Sequence, residues 1–416
     1  MINAVIDVPG SKSITNRALL LASMAKGKSV LKNVLFSDDS RHLLGCLKAL
    51  GFKVEIDEEN KSVVVDGERK VSEETIEVNV GSAGTTARFL TAMLAHFDGE
   101  FIVNASEQMK ARPMKPLLDV LIGFGVKITY LEKDGHLPVK LIGSKLSGGS
   151  IELPAEQSSQ FLSALLLSGN LFEQPLYIKP FGSRKSLPYV EITAKMIRDF
   201  GGDVLIDGEG VYTAKHCDYK ANEYSIEPDV SSACYFYAMA AIMGGKITVR
   251  GVHLSSMQGD IKFLDVLKKL GCSVEDNDVG VTVSRDESMG KYSGIEVDMN
   301  AFSDQTMTMA ALAIFADSPT HIMNIDHLQF QESNRIEATM TELNRMGICC
   351  ERKKEGIMIY PGEPKPAEIH TYDDHRMAMA FSLVGLKATG ITILNPECTA
   401  KTFENYFEIF QKLTNK

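Results

Sequence analysis

Residues 117–129 read "LLDVLIGFGVKIT": an apolar helix pattern that runs into glycine and then into alternating β-type residues. Leu117, Leu118 and Leu121 fall at the i, i+1, i+4 spacing of one helix face. Gly125 stands where a helix ends in the left-handed region, and "VKIT" then alternates with the period of a strand. The same pattern recurs as "LLGCLKALGFKVEI" (43–56), "AKMIRDFGGDVLI" (194–206), "LDVLKKLGCSVE" (264–275) and "TELNRMGICCE" (341–351). The closing glycines Gly51, Gly125, Gly201, Gly271 and Gly347 are 74, 76, 70 and 76 residues apart, and a sixth helix, "FENYFEIFQKL" (403–413), ends the chain. A fixed period of this size marks a repeated structural unit.

Ahead of each such helix lies a strand and a polar loop, for example "FIVNASEQMKARP" (101–113) and "ITILNPECTAKTF" (391–403). Ahead of each strand lies a helix of small apolar residues opened by Ser, Thr or Asp, such as "GTTARFLTAMLAHFDG" (84–99) and "DVSSACYFYAMAAIMGG" (229–245). A helix apolar on every side is a buried helix. The reading is a helix–strand–helix–strand unit written six times, an α/β (α+β) architecture too long for one domain.

Composition narrows the function. The 416 residues carry a net charge of −10 and are 44% hydrophobic. That acidity argues against nucleic acid and anionic membranes as partners, while a locally basic cleft could still hold an anionic small molecule. Seven cysteines without C-x-x-C spacing, and no secretory pattern in "MINAVIDVPG", predict reduced thiols and a cytoplasmic location. No apolar run reaches the length of a bilayer span, and the nine scattered histidines suggest no metal.

The buried helices carry unusual residues at their mouths. The first has Lys12, Ser13 and Arg17 in "PGSKSITNRALLL" (9–21), the second Gly84, Thr85 and Arg88, the third Ser158, Ser159 and Gln160, the sixth Asp374, His375 and Arg376. The strand-to-helix loops add Arg112, Lys185, Arg335 and Lys401. Helix N-termini offer unpaired N–H groups, and Arg or Lys beside them makes an anion site. Taken singly, each feature is ordinary: Lys-Ser is a solvated cap, Asp229, Asp304 and Asp374 are N-caps, and Glu332 faces solvent. Their recurrence at equivalent positions of the repeat points instead to a multiply anionic substrate in a strongly positive cleft.

Ten segments in order resemble the 5-enolpyruvylshikimate-3-phosphate synthase (3-phosphoshikimate 1-carboxyvinyltransferase) family: "PGSKSITNRALLLA", "GSAGTTARFL", "ARPMKPLLDVL", "SSQFLSALL", "SLPYVEIT", "DVSSACYF", "SDQTMTMA", "QESNRIEA", "YDDHRMAMAFSLV" and "CTAKTFENYF". The resemblance implies two globular halves of three βαβαββ units each, an inside-out α/β barrel of buried parallel helices, with substrates in the cleft between. One half would hold residues 1–12 and 228–416 and the other residues 13–227. It implies transfer of the enolpyruvyl group of phosphoenolpyruvate to shikimate-3-phosphate, on the route to chorismate and aromatic amino acids, with no metal or organic cofactor. Carried over by motif, Lys12, Ser13, Arg17, Ser158, Ser159, Gln160, Ser186 and Tyr189 would bind shikimate-3-phosphate, with Asp304, His327 and Gln331 beside it. Lys12, Gly84, Arg112, Gln160, Glu332, Arg335, His375, Arg376 and Lys401 would bind phosphoenolpyruvate. Asp304 would be the base for the 5-hydroxyl, Glu332 would deliver and remove the methyl proton, and Lys12 would assist. A self-sufficient core in each half predicts a monomer.

The sequence departs from the family pattern at Gln331, where a lysine is usual, and at His327, where asparagine is common. Ser82 and Phe89 are milder departures. Losing a charged contact to phosphate would cost about 1.5–3 kcal/mol, on the order of 10–100-fold in affinity. The sister transferase acting on UDP-N-acetylglucosamine is the nearest alternative; its reactive cysteine has no counterpart here, since no Cys lies between Cys46 and Cys217. A non-catalytic organophosphate-binding paralogue is the other.

Overall fold

The computed structural model describes residues 2–154, 158–182 and 187–414. Two compact units emerge, Gly10–Ile226 and Met1–Pro9 with Glu227–Lys416, so the chain passes between them twice.

Within Gly10–Ile226 one four-stranded sheet pattern occurs three times. In the middle repeat, Ile76–Asn79 pairs in parallel with Gly99–Asn104, which pairs antiparallel with Val139–Gly143, and Lys127–Tyr130 closes the edge. The sheet Gly149–Pro154, Leu176–Phe181, Tyr212–Lys215, Asp203–Ile206 repeats it. Between the first two strands of each repeat runs a buried helix, Gly84–Leu94 or Ser159–Gly169, and the second strand leads to an outer helix, Lys115–Gly123 or Leu187–Asp199. Parallel strands require such a crossover, whereas the last two strands close as a hairpin. The other unit holds two full copies, built on Gly245–Arg250 and Thr320–Met323, and a shortened third in which Ala367–Ile369 pairs with Ile391–Ile393 before the helix Tyr406–Thr414.

Where the chain changes units, two repeats exchange their first strands. Ile2–Ile6 precedes the helix Lys12–Met24 in sequence, yet Ile2 pairs with Gly245 in the other unit's sheet. Glu223–Ser225 precedes the helix Val230–Met243, yet Glu223 pairs with Val30.

The six helices read as buried are so. Residues Val230 to Ile242, Thr306 to Ala313 and His375 to Ser382 are buried without interruption, as are Ile14 to Ser23 and Phe161 to Gly169. Helix Gly84–Leu94 packs on both Lys12–Met24 and Ser159–Gly169, and Thr306–Ala313 packs on both Val230–Met243 and His375–Ser382. Each large side chain so enclosed contributes about 1.5–3 kcal/mol, which explains why these helices tolerate no polar face. The five closing glycines all adopt φ between +77° and +93°, where a β-carbon is strained. Among the described residues no helix is long and apolar enough to cross a membrane.

Candidate active site

In the unit Gly10–Ile226, Lys12 is the first residue of its helix, and the N-cap Ser11 makes no side-chain capping bond. The Lys12 ammonium lies 3.4 Å from the carboxylate of Asp39, which is buried. One turn further, Arg17 is enclosed at 1% exposure. Its Nε donates to Thr193 Oγ1 (2.7 Å), Nη1 to the Ser13 carbonyl (2.8 Å), and Nη2 to the Tyr189 carbonyl (3.2 Å) and Ser163 Oγ (3.4 Å). Among the described residues no carboxylate pairs with it, and burial brings its pKa down to about 10. The guanidinium lies 5.0 Å from the ring centre of Phe89, so this departure from the family pattern is a packing partner of Arg17.

The second helix mouth is bound to the first by Asn16, whose amide donates to Thr85 Oγ1 (2.8 Å). Arg88 Nη1 donates to the Gly84 carbonyl (3.1 Å) and to Gln160 Oε1 (3.2 Å), and Nη2 to the Pro113 carbonyl (3.1 Å). Arg112 is buried, with no hydrogen-bond partner for its Nε. A β-carbon on Gly84 would sit 2.6 Å from a guanidinium nitrogen of both Arg112 and Arg88, so glycine here makes room for two arginines. Ser158 caps the third helix by accepting from the Gln160 amide (3.1 Å). Ser13, Ser158, Ser159, Gln160 and Tyr189 are half-buried. Ser186 and Lys185 lie outside the described residues. Lys12, Arg17, Arg88 and Arg112 thus gather around connected helix mouths.

The cluster in Met1–Pro9 with Glu227–Lys416 is of a different kind. Arg335, 1% exposed, donates through Nη1 to Asp304 Oδ1, through Nη2 to Glu332 Oε2, and through Nε to Asp374 Oδ2, each at 2.8 Å, with a further bond from Nη2 to Asp374 Oδ1 at 3.2 Å. Burial alone would depress this guanidinium, but Asp374, Glu332 and Asp304 together hold it above its ordinary value. Arg376 Nη2 donates to the other oxygen of Asp304 (2.8 Å) and its Nη1 to the Tyr235 hydroxyl (3.4 Å). Asp374, fully buried, also caps its helix through the Arg376 amide (3.0 Å) and accepts from Ser333 Oγ (3.0 Å). His375 is buried beside Asp374 at 3.8 Å. His327 is buried with Nε2 2.8 Å from Ser303 Oγ, on the turn that carries Asp304. Gln331 is half-buried beside Glu332. Lys401, 6% exposed, has no hydrogen-bond partner for its ammonium among the described residues.

Three readings change. Asp304 is not an N-cap: Gln305 occupies that position of Thr306–Ala313 without a side-chain capping bond, and Asp304 sits in the 3-10 turn Asn300–Gln305 with its carboxylate bound to two arginines. Glu332 does not face solvent, because Arg335 holds it. The excess of positive charge is confined to the helix mouths of Gly10–Ile226; here Arg335, Arg376 and Lys401 stand against Asp304, Glu332 and Asp374, and formal charge balances. Sequence reasoning missed Asp39 as the partner of Lys12 and Arg88 as the partner of Gln160. It also missed Asp260, a buried carboxylate beside the Asp304 turn.

Residues 1–410 match the family model for EPSP synthase (3-phosphoshikimate 1-carboxyvinyltransferase). The chain is 40% identical over 411 residues to the 3-phosphoshikimate 1-carboxyvinyltransferase of Nostoc punctiforme, covering 98% of this chain and 96% of that protein. It is 42% identical over 419 residues to that of Yersinia pseudotuberculosis, covering 100% and 97%. The solved EPSP synthase from Acinetobacter baumannii superposes with a TM-score of 0.82 over 99% of this chain and 96% of that one; at 24% identity the likeness speaks for the fold. With a family model spanning nearly the whole chain and relatives at these identities, this chain belongs to the EPSP synthase (3-phosphoshikimate 1-carboxyvinyltransferase) family.

Proposed function

We propose that the chain transfers the carboxyvinyl group of phosphoenolpyruvate to the 5-hydroxyl of shikimate-3-phosphate and releases phosphate, the reaction its relatives are named for. The observation that carries the residue roles is the pair of carboxylates, Asp304 and Glu332, each 2.8 Å from the same Arg335 guanidinium. Addition needs a proton delivered to C3 of the enol and one taken from the 5-hydroxyl as the new C2–O bond forms. Elimination then breaks the C2–O bond to phosphate and removes a proton from the methyl group. Groups able to act as acid and base must therefore stand on both sides of one carbon. Asp304 serves as base toward the hydroxyl, and Glu332 carries the proton to and from C3.

Arginine has five N–H groups, and Arg335 spends four of them on Asp304, Glu332 and Asp374. The incoming carboxylate of phosphoenolpyruvate gains its bidentate grip by displacing Asp304 or Glu332, which frees that side chain for proton transfer. Arg376, Lys401, Arg112 and Lys12 supply the remaining charge for phosphoenolpyruvate, together with Gly84, Gln160 and His375. Arg17 has four of its five N–H groups engaged, so it acts on the shikimate phosphate mainly through charge. Ser13, Ser158, Ser159, Ser186 and Tyr189 complete that site, with His327 and Gln331 in place of the usual asparagine and lysine.

Phosphorus NMR of the protein with both substrates tests the proposal. Inorganic phosphate and the enolpyruvyl ether appearing in step support it; both substrates persisting at protein concentrations fit for single turnover refute it. The same reading makes the protein a cytoplasmic monomer acting on small molecules, and light scattering at micromolar concentration checks the monomer.

A further inference from the structure

Asp260 has no part in the chemistry assigned above, yet it is buried at 4% exposure in the turn Gly259–Lys262. Its Oδ2 accepts hydrogen bonds from the Ser231 hydroxyl and from Gln305 Nε2 (3.0 Å). Gln305 directly follows Asp304, and its Oε1 accepts from Thr308 (2.9 Å), so the amide bridges Asp260 to the helix behind the base. Among the described residues no Lys, Arg or His lies within ion-pair distance of Asp260. A buried carboxylate satisfied by neutral donors alone is costly, and a hydrophobic or amide residue would serve packing better.

We propose that Asp260 is a positioning residue for Asp304: it anchors the Asn300–Gln305 turn through Gln305, and its negative charge strengthens Asp304 as a base. The inference rests on the reading of Asp304 as the base for the 5-hydroxyl. The charged groups acting on Asp260 are Asp304 and Arg376 from facing elements; Asp229, at the head of Val230–Met243, and Asp260 both face Cys234. Cys234 on that helix is held neutral, its thiol pushed well up by burial; Lys262 lies on the same turn as Asp260.

Burial first, and then the charge of Asp304, push the Asp260 carboxyl up to about 6, against the opposing pull of Arg376, Ser231 and Gln305. Above that pH Asp260 is ionised and repels negative charge on Asp304, raising its proton affinity. Below it Asp260 is neutral and equivalent to asparagine.

The experiment is the ratio of kcat/KM for Asp260→Asn to that of the unaltered protein across pH, in which the ionisation of the substrates cancels. About one pK unit of lost basicity predicts a ratio of roughly a tenth to a third above pH 7, rising toward one below about pH 5. A ratio that stays flat with pH, whatever its value, overturns the proposal, since a purely structural role lowers activity alike at every pH. Should Asp260→Asn fail to fold, Ser231→Ala is measured instead. Loss of the donor raises the pH at which Asp260 takes up its proton, so that ratio dips between about pH 6 and 7 and recovers on either side; a flat ratio overturns the proposal here too. Asp304→Asn is measured alongside. A fall of about a hundredfold or more supports Asp304 as the base, and a flat Asp260→Asn ratio then refutes the inference alone. Full activity in Asp304→Asn removes the base and the inference together.

Discussion

Lys401→Met should stabilise the substrate-free protein and cripple it as an enzyme. Lys401 ends the turn Pro396–Lys401 at 6% exposure, and its ammonium meets no acceptor among the described residues. A buried polar group left unsatisfied costs about 1–3 kcal/mol, and more when charged. Methionine keeps the stem's packing, with a loss below about 1.5 kcal/mol for a shape-conserving exchange. The balance favours the variant by about 1–3 kcal/mol, which for a unit of 150–250 residues raises Tm by roughly 2–12 °C. With substrates the sign reverses: one lost charge-assisted contact to an anion costs about 1.5–3 kcal/mol, on the order of 10–100-fold in affinity. Calorimetric melts with and without phosphoenolpyruvate plus shikimate-3-phosphate measure both effects. A lower Tm without substrates would refute the reasoning, because the ammonium would then be a satisfied structural group. An unchanged substrate-induced rise in Tm would show that Lys401 holds no anion.

Asp374→Asn replaces one of two oxygens that between them accept four hydrogen bonds. Leaving Arg335 and the Arg376 amide partly unmatched should cost about 3–5 kcal/mol, read from denaturant titration, and a loss below about 1 kcal/mol would contradict the network. Gly84→Ala should lower Tm, because its β-carbon would push aside the buried Arg88 guanidinium, which is bonded to the Gly84 and Pro113 carbonyls and to Gln160. Pushing that guanidinium and the one of Arg112 aside should raise KM for phosphoenolpyruvate on the order of ten- to a hundredfold, and an unaltered KM would place its anion elsewhere. Gln331→Lys should tighten shikimate-3-phosphate binding on the order of 10–100-fold in titration calorimetry; no change would mean that other groups already complete the phosphate site.

The buried helices and the closing glycines were legible because each leaves a local mark: an apolar face all round, or a glycine just beyond the last turn. The first strands of the repeats left none. "INAVI" and "EYS" are short edge segments, and their exchange between units depends on pairing partners some 190 to 240 residues away in the chain. The helix-mouth arginines were legible because they recur at equivalent positions. The acids that hold them were not. Asp38 and Asp39 are adjacent and chemically identical, yet Asp38 is exposed while Asp39 is buried against Lys12. Asp304 reads as an N-cap by position, and only the fold brings Arg335 and Arg376 to it.

Under the proposed function, those contacts would let one cluster bind anions and hold bases without the two functions cancelling. Carboxylates free beside arginines would repel phosphoenolpyruvate, and arginines free beside no carboxylate would leave no base. In this structure Asp304 and Glu332 each accept a hydrogen bond from Arg335, and Asp304 accepts one from Arg376 as well. On the proposed function, an arriving substrate anion competes for the same N–H groups, and whichever carboxylate it displaces is released for proton transfer. Anion binding and base activation then become a single event. It follows that an analogue of phosphoenolpyruvate lacking the carboxylate should lose turnover beyond what its weaker binding explains, since it occupies the site without releasing the base.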